Sequence, residues 1–256
     1  MGEAKMNIDK FIEILSEYET TDTVFNMYYG DSKRAKKCRE RLKKYLEEHK
    51  NANVILVGEA PGYNGCAKTG VPFTSDTGEP SSKVIQEFFN KEYSGNSSWV
   101  LMWNAFPFHP HEKDDQNTNR KPNTKELLEG EFYLKKLLER FPDIICAGAL
   151  GKTAEKTLSH IDLEYKPESI RHPAHGGKKE CLEGLHYAFM RFGAIIQAEE
   201  IMHDVADAAG EKYKKAAYHY LKEHKEEFFD WYNSSDHLEY AYAYWQIKDI
   251  DLENYK

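Results

Sequence analysis

Three short segments of this chain place chemically capable residues directly after apolar runs. Residues 53–57 (Asn-Val-Ile-Leu-Val) lead into 58–62 (Gly-Glu-Ala-Pro-Gly), 99–103 lead into Asn104, and 169–170 lead into 171–173 (Arg-His-Pro). A short apolar run that ends in Gly and Pro is typical of a buried strand followed by a tight loop. Ligands of open α/β sheets bind at the carboxyl ends of such strands. A carboxylate, an amide and an imidazole at three strand ends therefore predict one binding or catalytic site.

The segments between these turns predict the elements that hold them. Apolar residues at helical spacing predict helices at residues 7–18, 32–49, 81–91, 124–140, 151–159 and 177–198. Short β-rich runs predict strands at residues 53–57, 99–103, 143–147 and 164–170. Because helices alternate with strands, the fold class is α/β, a three-layer α/β/α domain with a central four-stranded parallel sheet and a C-terminal helical extension. We predict that 1–200 form this domain, with N-terminal helices in 1–50, and that 201–256 form the helical, aromatic-rich extension.

The size and composition of the chain limit its class. With 256 residues it has room for one substantial domain and an appendage. It contains no apolar run long enough to cross a membrane and no signal-like start, which favours a cytoplasmic protein without a membrane partner. The four cysteines are scattered without a CxxC pair, which favours reduced thiols over a disulfide framework or a zinc site. We expect a monomer.

Positive charge is clustered although the formal net charge is −8. Residues 32–44 contain eight lysine and arginine residues and a single acid, Glu40. Local patches set the electrostatic field at a cleft, so the negative total does not exclude a protein that binds DNA through such a patch. A solvated helix face is the alternative interpretation.

The three turns together resemble the motifs of the uracil-DNA glycosylase superfamily. Residues 58–62 followed by 69–73 (Thr-Gly-Val-Pro-Phe) are similar to the first motif of a branch whose loop reads GE(G/A)PG and then GxPF. Asn104 matches the base-reading asparagine, and 172–174 (His-Pro-Ala) match the motif that carries the catalytic histidine. The resemblance covers residues 53–195. It implies a DNA glycosylase that flips out a pyrimidine, uracil or a larger modified one, and hydrolyses its N-glycosidic bond without a cofactor.

The resemblance also implies roles for individual residues. Phe73 would stack on the extruded base, and Asn104 would present its amide to the Watson–Crick edge of a pyrimidine. His172 would donate a hydrogen bond to the pyrimidine O2 as negative charge develops there, and Glu59 would orient water or stabilise the cationic sugar. Backbone groups of the first turn complete the base-binding set, which comprises Gly58, Ala60, Pro61 and Gly62 with Phe73 and Asn104.

Structural roles stay open for the same side chains. Glu59 can be a loop residue that hydrogen-bonds backbone, Asn104 a turn cap, and Phe73 the aromatic anchor of its loop. Asn104 also does not choose uracil by itself, because its flipped amide matches cytosine equally well. A neighbouring fixed donor or acceptor is therefore expected to lock the amide.

Three departures from the family pattern affect these expectations. Ala60 stands where the familiar uracil enzymes carry a water-orienting aspartate, so Glu59 is the nearest carboxylate. The cysteine spacing lacks the close pair of the iron–sulfur branch, so we predict no cluster. Gly62 stands where a tyrosine blocks bulky groups at pyrimidine C5, which predicts an open position that admits larger bases.

Basic and polar residues on the same loops are expected to contact DNA phosphates. Residues 171–179 form a basic loop beside the predicted lesion site. The residues assigned to phosphate contacts are Arg171, His175, Gly176, Lys178, Lys68 and Arg120. His109, His111 and His175 form no HxH or HExxH arrangement with a nearby carboxylate, so we predict solvated or phosphate-contacting histidines and no metal.

Two further functions compete with a housekeeping repair enzyme. The predicted opening at Gly62 favours a phage-defence glycosylase that acts on hypermodified cytosine, such as glucosylated hydroxymethylcytosine. The missing aspartate at Ala60 allows a DNA-binding protein that keeps the fold without catalysis. A nucleotide-binding α/β enzyme is disfavoured, because neither GxGxxG nor GxxxxGK[ST] follows a strand.

Overall fold

The computed structural model of the chain describes residues 6–73, 79–174, 176–234, 244–245, 250–253 and 255. The elements follow the order α1 (Ile8–Glu17), β1 (Val24–Phe25), α2 (Lys33–Glu48), β2 (Val54–Gly58), α3 (Cys66–Thr69), α4 (Pro80–Tyr93), β3 (Val100–Asn104), β4 (His109–Pro110), α5 (Thr124–Arg140), β5 (Cys146–Leu150), α6 (Lys152–Leu158), β6 (Glu168–Ile170), α7 (Lys178–Asp207), α8 (Lys214–Glu223) and α9 (Lys225–Ser234). Helices alternate with the strands of one sheet, as the sequence predicts.

The central sheet has four parallel strands in the order β3-β2-β5-β6. Every residue of β2, β3 and β5 is buried, because helices cover both faces of the sheet. The predicted α/β class, three layers and four parallel strands are therefore confirmed. A separate two-stranded antiparallel sheet pairs β1 with β4 and was not predicted, since each strand has two residues.

The two layers of helices use opposite faces of the strands. On one face, residues such as Ile55, Val57 and Leu101 pack in a core with side chains of α1, α2, α5 and α6. On the other face, aromatic side chains of α4 and α7 pack against each other, including Phe88 and Phe189 with ring centroids 5.1 Å apart. The carboxyl ends of the strands thus emerge between two fixed layers, which holds the following loops in place.

Local signals in the sequence define the helices beside these loops. Ser32 caps α2 by accepting a hydrogen bond from the Ala35 N–H at 3.0 Å. Asn123 and Glu126 form a reciprocal capping box at the start of α5. These caps fix the helix starts at Lys33 and Thr124, within one residue of the starts predicted from apolar spacing.

Three predicted elements differ from the structure by three or more residues. The strand predicted at 143–147 lies at 146–150, the strand predicted at 164–170 is limited to Glu168–Ile170, and the helix predicted at 177–198 continues to Asp207. Strand β5 begins where the backbone of residues 145–146 reaches the carbonyl of Asn53, which the apolar run does not reveal.

The chain divides into two compact units, Met1–Phe192 and Gly193–Lys256, and α7 contributes residues to both. The second unit has an apolar core of its own, formed by Met202, Val205, Ala206, Ala217, Leu221, Phe228 and Tyr244. No helix in the described part of the chain is both long and apolar enough to span a membrane.

Candidate active site

The loops that follow β2, β3 and β6 line one cavity of about 230 Å³. Glu59, Asn104 and His172 all lie on its wall, although they are far apart in the sequence. The sheet explains this proximity, since parallel strands end at the same edge and Gly58 lies beside Asn104 in register. Ala60, Pro61, Gly62, Phe73 and Arg120 are the other lining residues that the sequence analysis named. Gly58, from the predicted base-binding set, lies behind the Phe73 ring and is not among the lining residues.

Backbone hydrogen bonds join the first two turns. The carbonyl oxygen of Gly58 accepts from the Ala105 N–H at 2.8 Å, and that of Glu59 accepts from the Phe106 N–H at 3.1 Å. Both turns therefore continue the pairing of the strands beyond the sheet. A rigid connection of this kind fixes the position of Asn104 relative to Glu59.

The carboxylate of Glu59 is held from the neighbouring helix. Thr153, in the first turn of α6, donates a hydrogen bond from Oγ1 to Oε2 of Glu59 at 2.5 Å. The two residues are 94 positions apart in the sequence, and the hydrogen bond joins their side chains. Thr153 was not predicted as a site residue, because nothing in its local sequence marks it.

Asn104 is 4% exposed and faces the cavity. Its Oδ1 lies 3.1 Å from the position that a Cβ on Gly58 would occupy. Within the described residues, no protein group forms a hydrogen bond with its side-chain amide. The expected locking partner is therefore missing from this part of the chain, and the amide can match either pyrimidine edge.

Phe73 lies against the backbone of β2. A Cβ on Gly58 would lie 2.5 Å from Cζ of Phe73, so the ring occupies space that only glycine leaves at this position. Phe73 itself has φ +53°, a left-handed conformation that is rare for an aromatic residue. Its carbonyl oxygen accepts from Nε2 of Gln86 at 3.1 Å, which ties it to α4.

His172 is positioned by its own turn and by two glycines. Nδ1 accepts a hydrogen bond from the Ala174 N–H at 3.1 Å, so the neutral ring carries its proton on Nε2. A Cβ on Gly151, which has φ +92°, would lie 3.1 Å from the His172 Cβ. A Cβ on Gly177 would collide with the His172 carbonyl oxygen. Larger residues at position 151 or 177 would therefore displace the turn that holds the imidazole.

The expected opening at Gly62 is filled. A Cβ on Gly62 would lie 2.7 Å from Oε1 of Glu79, and a Cβ on Gly65 would collide with the other carboxylate oxygen. The prediction of an open position is therefore wrong, because a carboxylate from the start of α4 occupies the space that the two glycines leave. Ser82 donates a hydrogen bond to Oε2 of Glu79 at 2.9 Å.

Glu79 and Asn119 are cavity residues that the sequence analysis missed. Asn119 Oδ1 accepts from the Tyr63 N–H at 2.8 Å and so belongs to the same side of the wall as Gly62. The Glu79 carboxylate also acts on Cys66, whose thiol pKa is raised by burial first and by this negative charge second. Cys66 is consequently a protonated wall residue. Two features of the sequence could have indicated this contact. Gly62 and Gly65 are two glycines three residues apart, and a helix begins after Glu79, at Pro80.

The predicted phosphate-contacting residues fall into different environments. Arg171 and Gly176 are exposed, and nothing lies within 4 Å of a Cβ placed on Gly176. Lys68 is exposed and donates to Oδ1 of Asn64 at 2.7 Å, and Lys178 pairs with Glu87 at 2.6 Å. His175 lies outside the described residues.

The prediction for Arg120 is corrected by the structure. Its guanidinium forms a bidentate pair with Glu126, with hydrogen bonds of 2.8 and 2.6 Å. The remaining donors reach the carbonyl oxygens of His111, Lys121 and Thr23. Because every N–H has a protein acceptor, Arg120 holds the loop after β3 and has no donor left for a phosphate.

The predictions for His109 and His111 are also corrected, since both residues are 1% exposed. The His109 ring nitrogens lie 2.7 Å from the Pro61 carbonyl oxygen and 3.0 Å from that of Gln116. Burial lowers the pKa of His109, while the two carbonyl oxygens act in the opposite direction. These histidines are structural parts of the loop, and His109 supports the first turn from behind.

No group of three or more His, Cys, Asp or Glu side chains is arranged to hold a metal ion in the described ranges.

Comparison with known proteins identifies a family and a similar fold. A family model for the uracil DNA glycosylase superfamily matches residues 44–239. The chain is similar to the crystal structure of wild-type SMUG2 from Pedobacter heparinus, with 18% sequence identity and a TM-score of 0.50. That match covers 74% of this chain and 97% of the SMUG2 chain, and at this identity it shows the fold. A search of curated proteins finds no match.

The family match spans all three strand-end turns and most of the chain. The chain therefore belongs to the uracil DNA glycosylase superfamily.

Proposed function

We propose that this chain is a DNA glycosylase that flips a pyrimidine nucleotide out of DNA and hydrolyses its N-glycosidic bond. The observation that carries the proposal is the single cavity shared by Glu59, Asn104 and His172. Its volume is about 230 Å³. One pyrimidine ring with small substituents fits such a space, and a base inside a duplex must leave the stack to reach it.

Binding of the base rests on Phe73 and Asn104. The Phe73 ring, held against Gly58, offers a flat apolar wall, and base–aromatic stacking contributes roughly 1–3 kcal/mol. The Asn104 amide provides one donor and one acceptor to the Watson–Crick edge. Since no described residue fixes this amide, it supports recognition of a pyrimidine without choosing between uracil and cytosine.

Cleavage requires stabilisation of charge on both fragments. When the C1′–N1 bond breaks, its electron pair moves onto the base and positive charge develops on the sugar. The Nε2–H of His172 donates to the pyrimidine O2, which is a preorganised contribution of the oxyanion-hole type. The base then takes up a proton, and water adds to C1′ to leave an abasic site.

Glu59 is the carboxylate that we assign to the sugar side of the reaction. Its hydrogen bond from Thr153 holds one oxygen and leaves the other to orient water, accept its proton or stabilise the cationic sugar. This arrangement compensates for Ala60, which provides no carboxylate at the family's usual position.

A modified pyrimidine is a second candidate substrate. The wall at Gly62 presents the Glu79 carboxylate, which accepts hydrogen bonds, rather than open space. Such a wall favours a base that carries an amino or hydroxyl donor on the facing edge. A hypermodified cytosine of phage DNA belongs to this class, and its excision would make the protein a defence enzyme.

The test is excision from defined duplexes. Purified protein is incubated with DNA carrying uracil, 5-hydroxymethylcytosine or glucosylated 5-hydroxymethylcytosine, and abasic sites are cleaved with alkali. We expect wild-type protein to release the base from at least one of these three substrates. The variants His172→Ala and Asn104→Ala should lose this activity. DNA binding without base release from any substrate would favour the non-catalytic alternative, and cleavage of uracil alone would exclude the modified-pyrimidine candidate.

A further inference from the structure

One face of α2 is strongly basic and directed away from the core. Lys33, Lys37 and Arg41 are exposed and follow one another at intervals of four residues. At 3.6 residues per turn they lie on one side of the helix. The buried residues Ala35, Cys38, Leu42 and Leu46 lie on the opposite side. We call Lys33, Lys37 and Arg41 the α2 basic surface.

The other basic residues of α2 already have partners. Arg34 donates to the Ala67 carbonyl oxygen at 2.8 Å, and Arg39 donates to that of Gly30 at 2.8 Å. Lys43 pairs with Asp9 at 2.7 Å. In contrast, none of the three α2 basic surface residues forms an ion pair with an acid of the described chain, and Glu40 is the sole acid between them. Their charge is therefore available to a partner.

Contacts of α2 place the N-terminal half of this helix close to the cavity. Arg34 binds the backbone of α3, and Gly70, at the end of α3, packs directly on the backbone of Cys38. Cys66, the first residue of α3, lines the cavity. The N-terminal half of α2 is thus separated from the cavity by one short helix. That short helix carries the exposed Lys68.

We infer that the α2 basic surface binds the phosphate backbone of the DNA strand that flanks the flipped nucleotide. Lys33 and Arg41 are eight positions apart, which corresponds to about 12 Å along the helix axis. Phosphates of one DNA strand recur every ~3.4 Å along the duplex axis. A regular row of unpaired cations beside the site fits a regular row of anions. The inference rests on the proposed function for the identity of the partner as DNA.

The experiment measures how DNA affinity depends on salt. The triple variant Lys33→Gln, Lys37→Gln and Arg41→Gln is compared with wild type by fluorescence anisotropy, using a duplex without modified bases. Since each phosphate contact contributes about 0.9 to the slope of log K against log salt, we expect the slope to become shallower by about 2.7 for the three contacts.

A control triple removes the same charge from exposed lysines outside the α2 basic surface. Lys50→Gln, Lys135→Gln and Lys156→Gln change exposed residues near the C-terminal ends of α2, α5 and α6. We expect this variant to retain the wild-type slope. Circular dichroism of both triples establishes that each is folded.

Two outcomes of the salt titration would overturn the inference. One is an unchanged slope in the α2 triple, and the other is an equal decrease in both triples, which reports net charge alone. A loss of binding to phosphatidylserine vesicles with unchanged DNA affinity would likewise assign the surface to another polyanion. Because the duplex has no modified base, this experiment measures DNA binding independently of base excision. If the glycosylase proposal fails, the protein will bind DNA without releasing a base from any substrate, which is a separate observation.

Discussion

Thr153 Oγ1 donates a 2.5 Å hydrogen bond to Oε2 of Glu59, which ties helix α6 to the first turn of the cavity. The bond matters because Glu59 is the carboxylate nearest to the place where the family pattern has an aspartate and this chain has Ala60. A carboxylate that acts on water or on a cationic sugar must be held in one position, and this hydroxyl holds it.

Removal of the hydroxyl should therefore slow catalysis without weakening DNA binding. We expect Thr153→Val to lower kcat by about 10- to 150-fold, since a hydrogen bond to a charged group contributes about 1.5–3 kcal/mol. KM should remain close to wild type, because Thr153 does not line the cavity. Single-turnover excision and anisotropy separate the two quantities.

Thr157 provides a matched control one turn further along α6. Its hydroxyl oxygen is buried without a hydrogen-bond partner in the described residues, so Thr157→Val removes the same group with no link to Glu59. Equal losses of activity in both variants would show that helix packing, rather than the position of Glu59, is responsible.

Loss of the imidazole at position 172 should have the largest effect on the chemical step. We expect His172→Ala to lower kcat by about 10²–10³-fold, which is typical when one preorganised donor to a developing oxyanion is removed. His186→Ala, at an exposed site on α7, serves as the control. Full activity in His172→Ala would refute the assignment of His172 as the donor.

The turn around His172 makes a further prediction from its glycines. Gly151→Ala places a methyl group 3.1 Å from the His172 Cβ and imposes a side chain on a residue with φ +92°. We expect a lower kcat together with reduced stability, measured by excision rate and urea denaturation. Gly193→Ala is the control, because nothing lies within 4 Å of a Cβ at that helical position. An unaffected excision rate in Gly151→Ala would show that the turn tolerates the displacement.

The elements around the site were largely predictable, whereas their exact register was not. Helix α5 lies at 124–140 as predicted, because Asn123 and Glu126 encode its cap locally. Strand β5 lies three residues beyond its predicted position, since the pairing of Val54 with Cys146 decides where it begins. Local signals thus define helix starts, while strand ends depend on a partner distant in sequence.

The same distinction explains which site residues were found. Glu59, Asn104 and His172 each lie within two residues of the end of a predicted strand, so their place at a strand end could be predicted from local pattern. Thr153 and Glu79 reach the site through contacts across the fold, which no local pattern contains. Arg120 shows the converse, because a basic residue on a site loop proved to be satisfied by a buried partner, Glu126.

Glu79 is expected to influence which base is accepted. Glu79→Gln keeps the shape of the side chain and removes its charge, so hydrogen bonds from an amino or hydroxyl group of the base become weaker. We expect kcat/KM for such a base to fall by about 10-fold relative to uracil. Parallel excision assays on uracil and on the modified pyrimidine measure the ratio of their kcat/KM values.

Glu87→Gln is the control for Glu79→Gln. Glu87 lies on the same helix and pairs with Lys178 on a half-exposed surface, away from the residues that line the cavity. If the two variants have the same substrate ratio as wild type, Glu79 is a structural residue that fills the space beside Gly62 and Gly65.

The pair formed by Arg120 and Glu126 should stabilise the loop that follows Asn104. Their side chains are 18% and 8% exposed, and the hydrogen bonds to Glu126 are the largest cause that raises the pKa of Arg120. Arg120→Ala leaves a buried carboxylate without its partner, so we expect the free energy of unfolding to decrease by about 3 kcal/mol. Urea denaturation at neutral pH measures the change.

Glu139 on the same helix allows a direct comparison with that buried pair. Its pair with Lys136 is more exposed, at 49% and 30%, so Glu139→Ala should cost less than about 1 kcal/mol. A similar small cost in Arg120→Ala would mean that water replaces the guanidinium. The loop after β3 would then be held by its buried aromatic residues and His109, and Arg120 would again be available to a DNA phosphate.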